Sequence, residues 1–206
     1  MNRIVQCLVI IISLLATGAT ARANMRIALV GAGTMPTATE TLTPSNRILE
    51  GQIGYGAGVL IGLPLGSHME FETGGIYGQF IFDRTIAGAT TLLAGWNVHV
   101  PFVFNYWFNR HIALSVGGFA DSGIGKFSNS GTPTTLSYGD LGIRNVNYGL
   151  EGGLGFSFPL GGASLIIDGR YSYGLREMRI DTSIGQSTRI NNVVGLVGLR
   201  FGGGHK

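Results

Sequence analysis

The strongest constraint on this chain is a two-residue alternation that puts large apolar side chains on one face and small or polar ones on the other. Over 163–176, Ala163, Leu165, Ile167, Tyr171, Tyr173 and Leu175 fall on one side, with Ser164, Asp168, Arg170, Ser172 and Arg176 on the other. Over 146–158, Val146, Tyr148, Leu150, Leu154, Phe156 and Phe158 oppose Asn147, Gly149, Glu151, Gly153, Gly155 and Ser157. The stretch 92–104 sets Leu92, Trp96, Val98, Val100, Phe102 and Phe104 against Gly95, Asn97 and His99, and 52–63 sets Ile53, Tyr55, Val59, Ile61 and Leu63 against glycines. A helix does not produce this pattern, because its faces repeat every 3.6 residues. The 35 glycines among 206 residues argue the same way, since each costs roughly 1 kcal/mol in a helix interior.

The alternation predicts eight strands, at 25–33, 51–63, 68–82, 91–104, 110–120, 142–158, 163–176 and 189–201. Their connections take turns in length. Those at 64–67, 105–109 and 159–162 are short and built from turn residues, while 34–50, 83–90, 121–141 and 177–188 are longer and rich in Thr, Ser, Gly, Asn and Asp. Short turns at one end and long loops at the other, joining strands long enough to cross a bilayer at a tilt, describe an all-β fold. The expectation is an eight-stranded antiparallel up-and-down transmembrane β-barrel. A soluble sandwich or lipocalin would turn the polar faces outward and fill them with Lys and Glu, whereas here they carry Gly, Ser, Asn and isolated charges. No segment beyond the leader has the ~18 consecutive apolar residues of a membrane helix. The aromatics fall into two groups, as interfacial girdles would. Phe102, Phe104, Tyr106, Trp107, Phe108, Phe156, Phe158 and Phe201 lie near the short turns, and Phe80, Phe82, Trp96, Tyr148, Tyr171 and Tyr173 lie farther along.

Residues 1–23 read as a secretory leader: Arg3, an apolar run from Cys7 to Ala16, and Ala21-Arg22-Ala23 as an A-x-A cleavage site. Cleavage leaves 24–206 as the barrel domain and removes the single cysteine, so no disulfide is expected. Arg3 and Arg22 leave with it, and the net charge of +3 falls close to zero. With no basic patch, nucleic acid is not an expected partner.

The segments VPFVFNYWFNRHIALSVGGF (Val100–Phe119), NYGLEGGLGFSFPLGGASLIIDGRYSYGL (Asn147–Leu175) and VVGLVGLRF (Val193–Phe201) resemble the outer-membrane β-barrel family that includes PorT-like proteins. That family is of the eight-stranded OmpX and OmpA-barrel type. The resemblance implies residence in the outer membrane of a diderm bacterium, contact with outer-membrane lipid, insertion by the barrel-assembly machinery and loops facing outward. Phe201 resembles the family's terminal aromatic assembly signal, here followed by Gly202-Gly203-Gly204-His205-Lys206.

Carried around the barrel, the alternation points Arg26, Glu70, Glu72, His99, His111, Glu151, Asp168, Arg170 and Arg200 into the lumen. Buried charges must be paired, and a lumen of eight strands is narrow enough for side chains to fill. A structural ion-pair network is the expectation, with a small-ion path along Glu70, Glu72, His99 and His111 as the sharper alternative. No catalytic, cofactor or metal site is expected. Gly31-Ala32-Gly33 opens like a dinucleotide fingerprint, but Pro36 takes the place of the third glycine and no helical period follows. Asp121-Ser122 is the acyl-transfer candidate, but along a strand at ~3.3 Å per residue Ser122 lies roughly 30 Å from His111. The expected function is therefore non-enzymatic, a structural or surface-interaction role through the long loops, with an extracellular ligand or surface as partner. A narrow channel and an enzyme modifying outer-leaflet lipid are the alternatives.

Overall fold

The computed structural model describes residues 25–41, 47–86, 89–129, 135–137, 144–181 and 186–202. The leader expected at 1–23 lies outside them. All regular structure in the described residues is β: β1 (Arg26–Thr41), β2 (Arg47–Gln52), β3 (Gly54–Pro64), β4 (Met69–Ile86), β5 (Ala89–Trp107), β6 (Ile112–Asn129), β7 (Thr135–Leu136), β8 (Val146–Pro159), β9 (Ala163–Gly174), β10 (Glu177–Asp181) and β11 (Gln186–Phe201). The wall runs β1-β3-β4-β5-β6-β8-β9-β11, and β11 pairs back onto β1, so the sheet closes on itself. Every pairing is antiparallel, with Ile27 opposite Phe201 and Gly33 opposite Gly195 at the closing seam. The three remaining strands extend this wall. β2 prolongs β3 along β4, β7 lies on β6, and β10 prolongs β9 along β11. The result is a closed eight-stranded antiparallel barrel, which leaves no open sheet edge through its middle.

The turns after β3 and β8 fall close to 64–67 and 159–162, while the β5–β6 turn lies at 108–111 rather than 105–109, because β5 continues to Trp107 and β6 starts at Ile112. Gly66 and Gly161 adopt φ of 126° and 79°, conformations that side chains with a Cβ rarely take. In the β5–β6 turn, the Asn109 side-chain oxygen accepts hydrogen bonds from the backbone N–H groups of His111 and Ile112, at 2.7 and 2.9 Å. At the other end the strands outrun expectation. β1 reaches Thr41 rather than stopping at 33, β6 reaches Asn129 rather than 120, and β2 begins at Arg47. Much of 34–50 and 121–129 is therefore strand rather than loop. The physical reason is solvent: beyond an apolar band neither strand face needs to be greasy, so backbone pairing continues without the alternation that reveals it.

Two surfaces result. Outward positions carry exposed Leu29, Val116, Leu150, Leu154, Val197 and Leu199. Exposed large apolar side chains on every wall strand form a belt unlike the scattered apolar residues of a soluble surface, and it suits acyl chains. Inward positions alternate with it: Ala28, Val30, Ala32, Leu60, Ile76, Ile166, Val194 and Leu196 form one buried cluster. Glycine permits the close approach of neighbouring strands. A Cβ at Gly198 would lie 2.1 Å from the Leu29 carbonyl oxygen, and one at Gly153 would lie 2.3 Å from that of Gly169.

Phe102, Phe104, Tyr106, Phe108, Phe156, Phe158 and Phe201 stand outward near the short turns, and Tyr148, Tyr171 and Tyr173 stand outward toward the far end. Trp96 stacks on Tyr77 with centroids 4.9 Å apart. Three aromatics depart from the girdle expectation. Trp107, with 4% exposure, shares the inward parity of Val103 and Asn105 on β5. Phe80 and Phe82 share the parity of Glu70 and Glu72 on β4, and Phe82 packs inside against Ile190. The girdle expectation treats aromatic residues near a barrel end as one outward class, although their register decides the side.

Candidate functional site

Strand parity gathers the charged residues of seven wall strands into one buried chain. At the short-turn end, Arg26 Nη1 donates to Glu70 Oε2 at 2.6 Å. Arg200 Nη2 lies 3.7 Å from Glu70 Oε1 and donates to Glu72 Oε2 at 3.3 Å. Arg170 is the hub. Its Nη2 donates to Glu72 Oε1 at 2.5 Å and to Asp168 Oδ2 at 2.9 Å, and its Nη1 to Glu151 Oε1 at 3.4 Å. Glu151 also accepts from Ser172 Oγ at 2.9 Å and sits 2.9 Å from His99 Nε2. His99 Nδ1 lies 2.7 Å from Asp121 Oδ1. Ser115 donates to Asn105 at 2.6 Å, and Asn105 donates to Glu72 at 3.4 Å. All of these side chains are buried. From Trp107 to His99 along β5 is roughly 26 Å at ~3.3 Å per residue, so the chain occupies a large part of the lumen's length.

Parity alone misassigned His111. It lies in the β5–β6 turn, half-buried, with Nδ1 2.9 Å from the Ser157 carbonyl oxygen and Nε2 accepting from Arg110 Nε at 3.0 Å. β6 begins one residue later, at Ile112, so His111 has no strand position from which to enter the lumen. The ion path drawn through it loses that member. Asp121 is the residue the sequence reading missed. The fading contrast after Ala120 predicts a strand end there, but continuing the parity of Ala113, Ser115 and Phe119 by one step places Asp121 inside. Trp107, moved inward, lies under the Arg200 guanidinium at 5.2 Å, and Phe119 stacks on His99 at 5.6 Å.

Five carboxylates (Glu70, Glu72, Asp121, Glu151 and Asp168) face three guanidiniums and one imidazole. In low dielectric such groups hold one another in place, because an unpaired member would carry the full desolvation cost. Both ring nitrogens of His99 are on carboxylates, so each contact needs its own proton. That leaves His99 no nitrogen with which to activate a hydroxyl. Asp121 and His99 therefore resemble two-thirds of a triad only in outline, since the nucleophile's place is taken by Glu151. Ser172 and Ser115 donate within the network rather than to an open cleft. Among the described residues no group of three His, Cys, Asp or Glu is arranged to hold a metal, and no helix is long and apolar enough to cross a membrane.

No protein-family model matches the chain, and no curated protein sequence matches it. The PorT-like family suggested by the sequence is thus not shown. Solved structures do match. The outer membrane protein OprG from Pseudomonas aeruginosa superposes with a TM-score of 0.53 at 12% identity, covering 87% of this chain and 95% of that one. Ail of Yersinia pestis, solved in complex with the heparin analogue sucrose octasulfate, gives 0.46 at 14% identity over 86% and 99%. Neisserial surface protein A gives 0.46 at 12% identity over 86% and 96%. At these identities the likeness concerns fold: the chain has the eight-stranded architecture of outer-membrane β-barrels.

Proposed function

We propose that this chain is a non-enzymatic outer-membrane protein of a diderm bacterium, closed along its axis and presenting its long connections to an extracellular ligand or surface. It is exported by residues 1–23, inserted by the barrel-assembly machinery and held by outer-membrane lipid through its apolar belt. The observation that carries the reading is the buried chain from Arg26 to Asp121. Side chains engaged in mutual ion pairs fill the space a water column would need. β1, β6 and β11 extend to Thr41, Asn129 and Gln186 at the end that carries the long connections.

Purified protein in planar bilayers tests the closure. Silence is expected, and reproducible single-channel steps would replace this reading with the narrow channel. Surface interaction is tested by comparing adhesion of cells displaying the native chain with cells in which 130–143 is replaced by a short Gly-Ser linker. Equal adhesion would remove the interactive role. Identical outer-leaflet lipid profiles with and without the protein are expected, and a modified lipid species would restore the enzyme alternative.

A further inference from the structure

The short-turn mouth of the barrel holds a cavity that the lumen network does not account for. It measures about 420 Å³ and is lined by Arg26, Arg110, Arg200, Ser157, Ser164 and the Gly161-Gly162 turn, among others. That volume lies within the ~300–1,000 Å³ typical of small-ligand pockets. No Asp or Glu is among its lining residues, so the charged side chains of its wall are three guanidiniums from three separate elements: the start of β1, the β5–β6 turn and the end of β11. Arg26 and Arg200 are only 6% and 7% exposed. Their carboxylate partners, Glu70 and Glu72, lie on the lumen side, and these are shared. Glu70 serves both Arg26 and Arg200, and Glu72 serves both Arg200 and Arg170. The negative charge that answers Arg26 and Arg200 in these pairs thus stands behind the cavity wall rather than on it. Arg110 adds a third cation to that wall: its Nε is spent on His111, and no described carboxylate lies within ion-pair distance of its guanidinium.

We propose that this cavity binds a phosphate group. Guanidinium forks match the spacing of phosphate oxygens and can bond them bidentately. Three guanidiniums, each with one nitrogen already engaged, together with two serines suit a tetrahedral anion with several acceptor oxygens better than a planar carboxylate with two. The phosphate has two possible sources, a free phosphate in the periplasm or the headgroup of a phospholipid in the adjacent leaflet. Phe158, Leu160 and Phe201 stand exposed beside the mouth, where acyl chains from such a lipid would lie.

The test uses the refolded barrel in octyl glucoside, a detergent without phosphate, at fixed ionic strength set by sodium chloride. Inorganic phosphate and short-chain phosphatidylglycerol are titrated separately by calorimetry and phosphorus NMR. Saturable binding of at least one probe is expected. Binding of both identifies a site open to free phosphate, and binding of the lipid alone identifies a headgroup site. Arg110→Gln should weaken binding at least tenfold, with Arg110→Lys recovering part of the loss. Gly162→Glu, at a position where an added Cβ meets no atom within 4 Å, should abolish it by bringing a carboxylate to the wall. Both positions lie in turns outside the wall pairings, and unchanged heat-modifiable gel mobility checks the fold of each variant. The proposal is overturned if neither probe binds, or if folded Arg110→Gln and Gly162→Glu bind as the native chain does.

Discussion

Two groups of inward side chains differ in chemistry, with Arg26 and Arg200 at the ends of β1 and β11 belonging to the charged one. β1, β3 and β11 contribute Ala28, Val30, Ala32, Leu60, Val194 and Leu196, close-packed with Ile76 and Ile166. β4, β5, β6, β8 and β9 contribute carboxylates, Arg170 and His99, every one engaged by another. Both sectors exclude water from a narrow space, but they fail differently. In the apolar sector each side chain contributes by its own burial, and removing one leaves a local void. In the charged sector the removal of one member strands its neighbours, because an ion that has lost its partner cannot be resolvated inside the wall. A network held by mutual charge is therefore less tolerant of single changes than its size suggests. The apolar sector depends instead on exact fit, which its glycines set.

The largest effect should come from Arg170→Met, which leaves Glu72, Glu151 and Asp168 without their shared cation. Breaking a buried pair in this way costs about 3–5 kcal/mol, read as a lower urea midpoint for the refolded barrel in lipid vesicles. A cost below that of a single apolar truncation would end the distinction between the sectors. Leu60→Ala, on the apolar side, should cost roughly 2–4 kcal/mol as a transfer-plus-cavity loss, with the slope of the urea transition unchanged. Leu154→Arg moves the comparison to the outer wall. If Leu154 faces acyl chains the substitution costs about 2–4 kcal/mol near the bilayer midplane, whereas on a water-facing wall vesicle refolding would be unaffected. Gly198→Ala, whose new methyl meets the Leu29 carbonyl, should cost about 1–3 kcal/mol through overpacking. Gly195→Ala, where a Cβ meets nothing within 4 Å, should stay within about 0.5 kcal/mol. Equal costs at the two glycines would show that the wall relaxes around them and that fit is not what they supply.

The barrel itself was legible in the chain because alternation is a direct projection of a wall with lipid on one side and a filled lumen on the other. The inward direction of Glu72, Glu151 and Arg170 follows from the same two-residue period. What was hidden lay where that projection fails. Asp121 stands past the last contrasting pair of β6, which puts the strand's expected end before it. His111 has polar character but occupies a turn, where parity has no meaning. Trp107, Phe80 and Phe82 were grouped by residue type, although counting along β4 and β5 places them inside. Which inward charges pair with which could not be read at all, because partners such as Arg200 and Glu72 are separated by 128 residues and meet only through the shear of a closed ring.

The seam between β1 and β11 has a consequence for the order of assembly. Ile27 pairs with Phe201, so the ring joins the earliest strand to the last, and no shorter intermediate has an inside. Contacts of such long sequence separation form slowly. Arg26 and Arg200 arrive at Glu70 from opposite ends of the polypeptide, and until both have docked, the acidic residues of β4 lack their full complement of cations. Arg200 of the last strand thus reaches Glu70 and Glu72 only when the ring closes, so these ion pairs stabilise the completed wall and no shorter one.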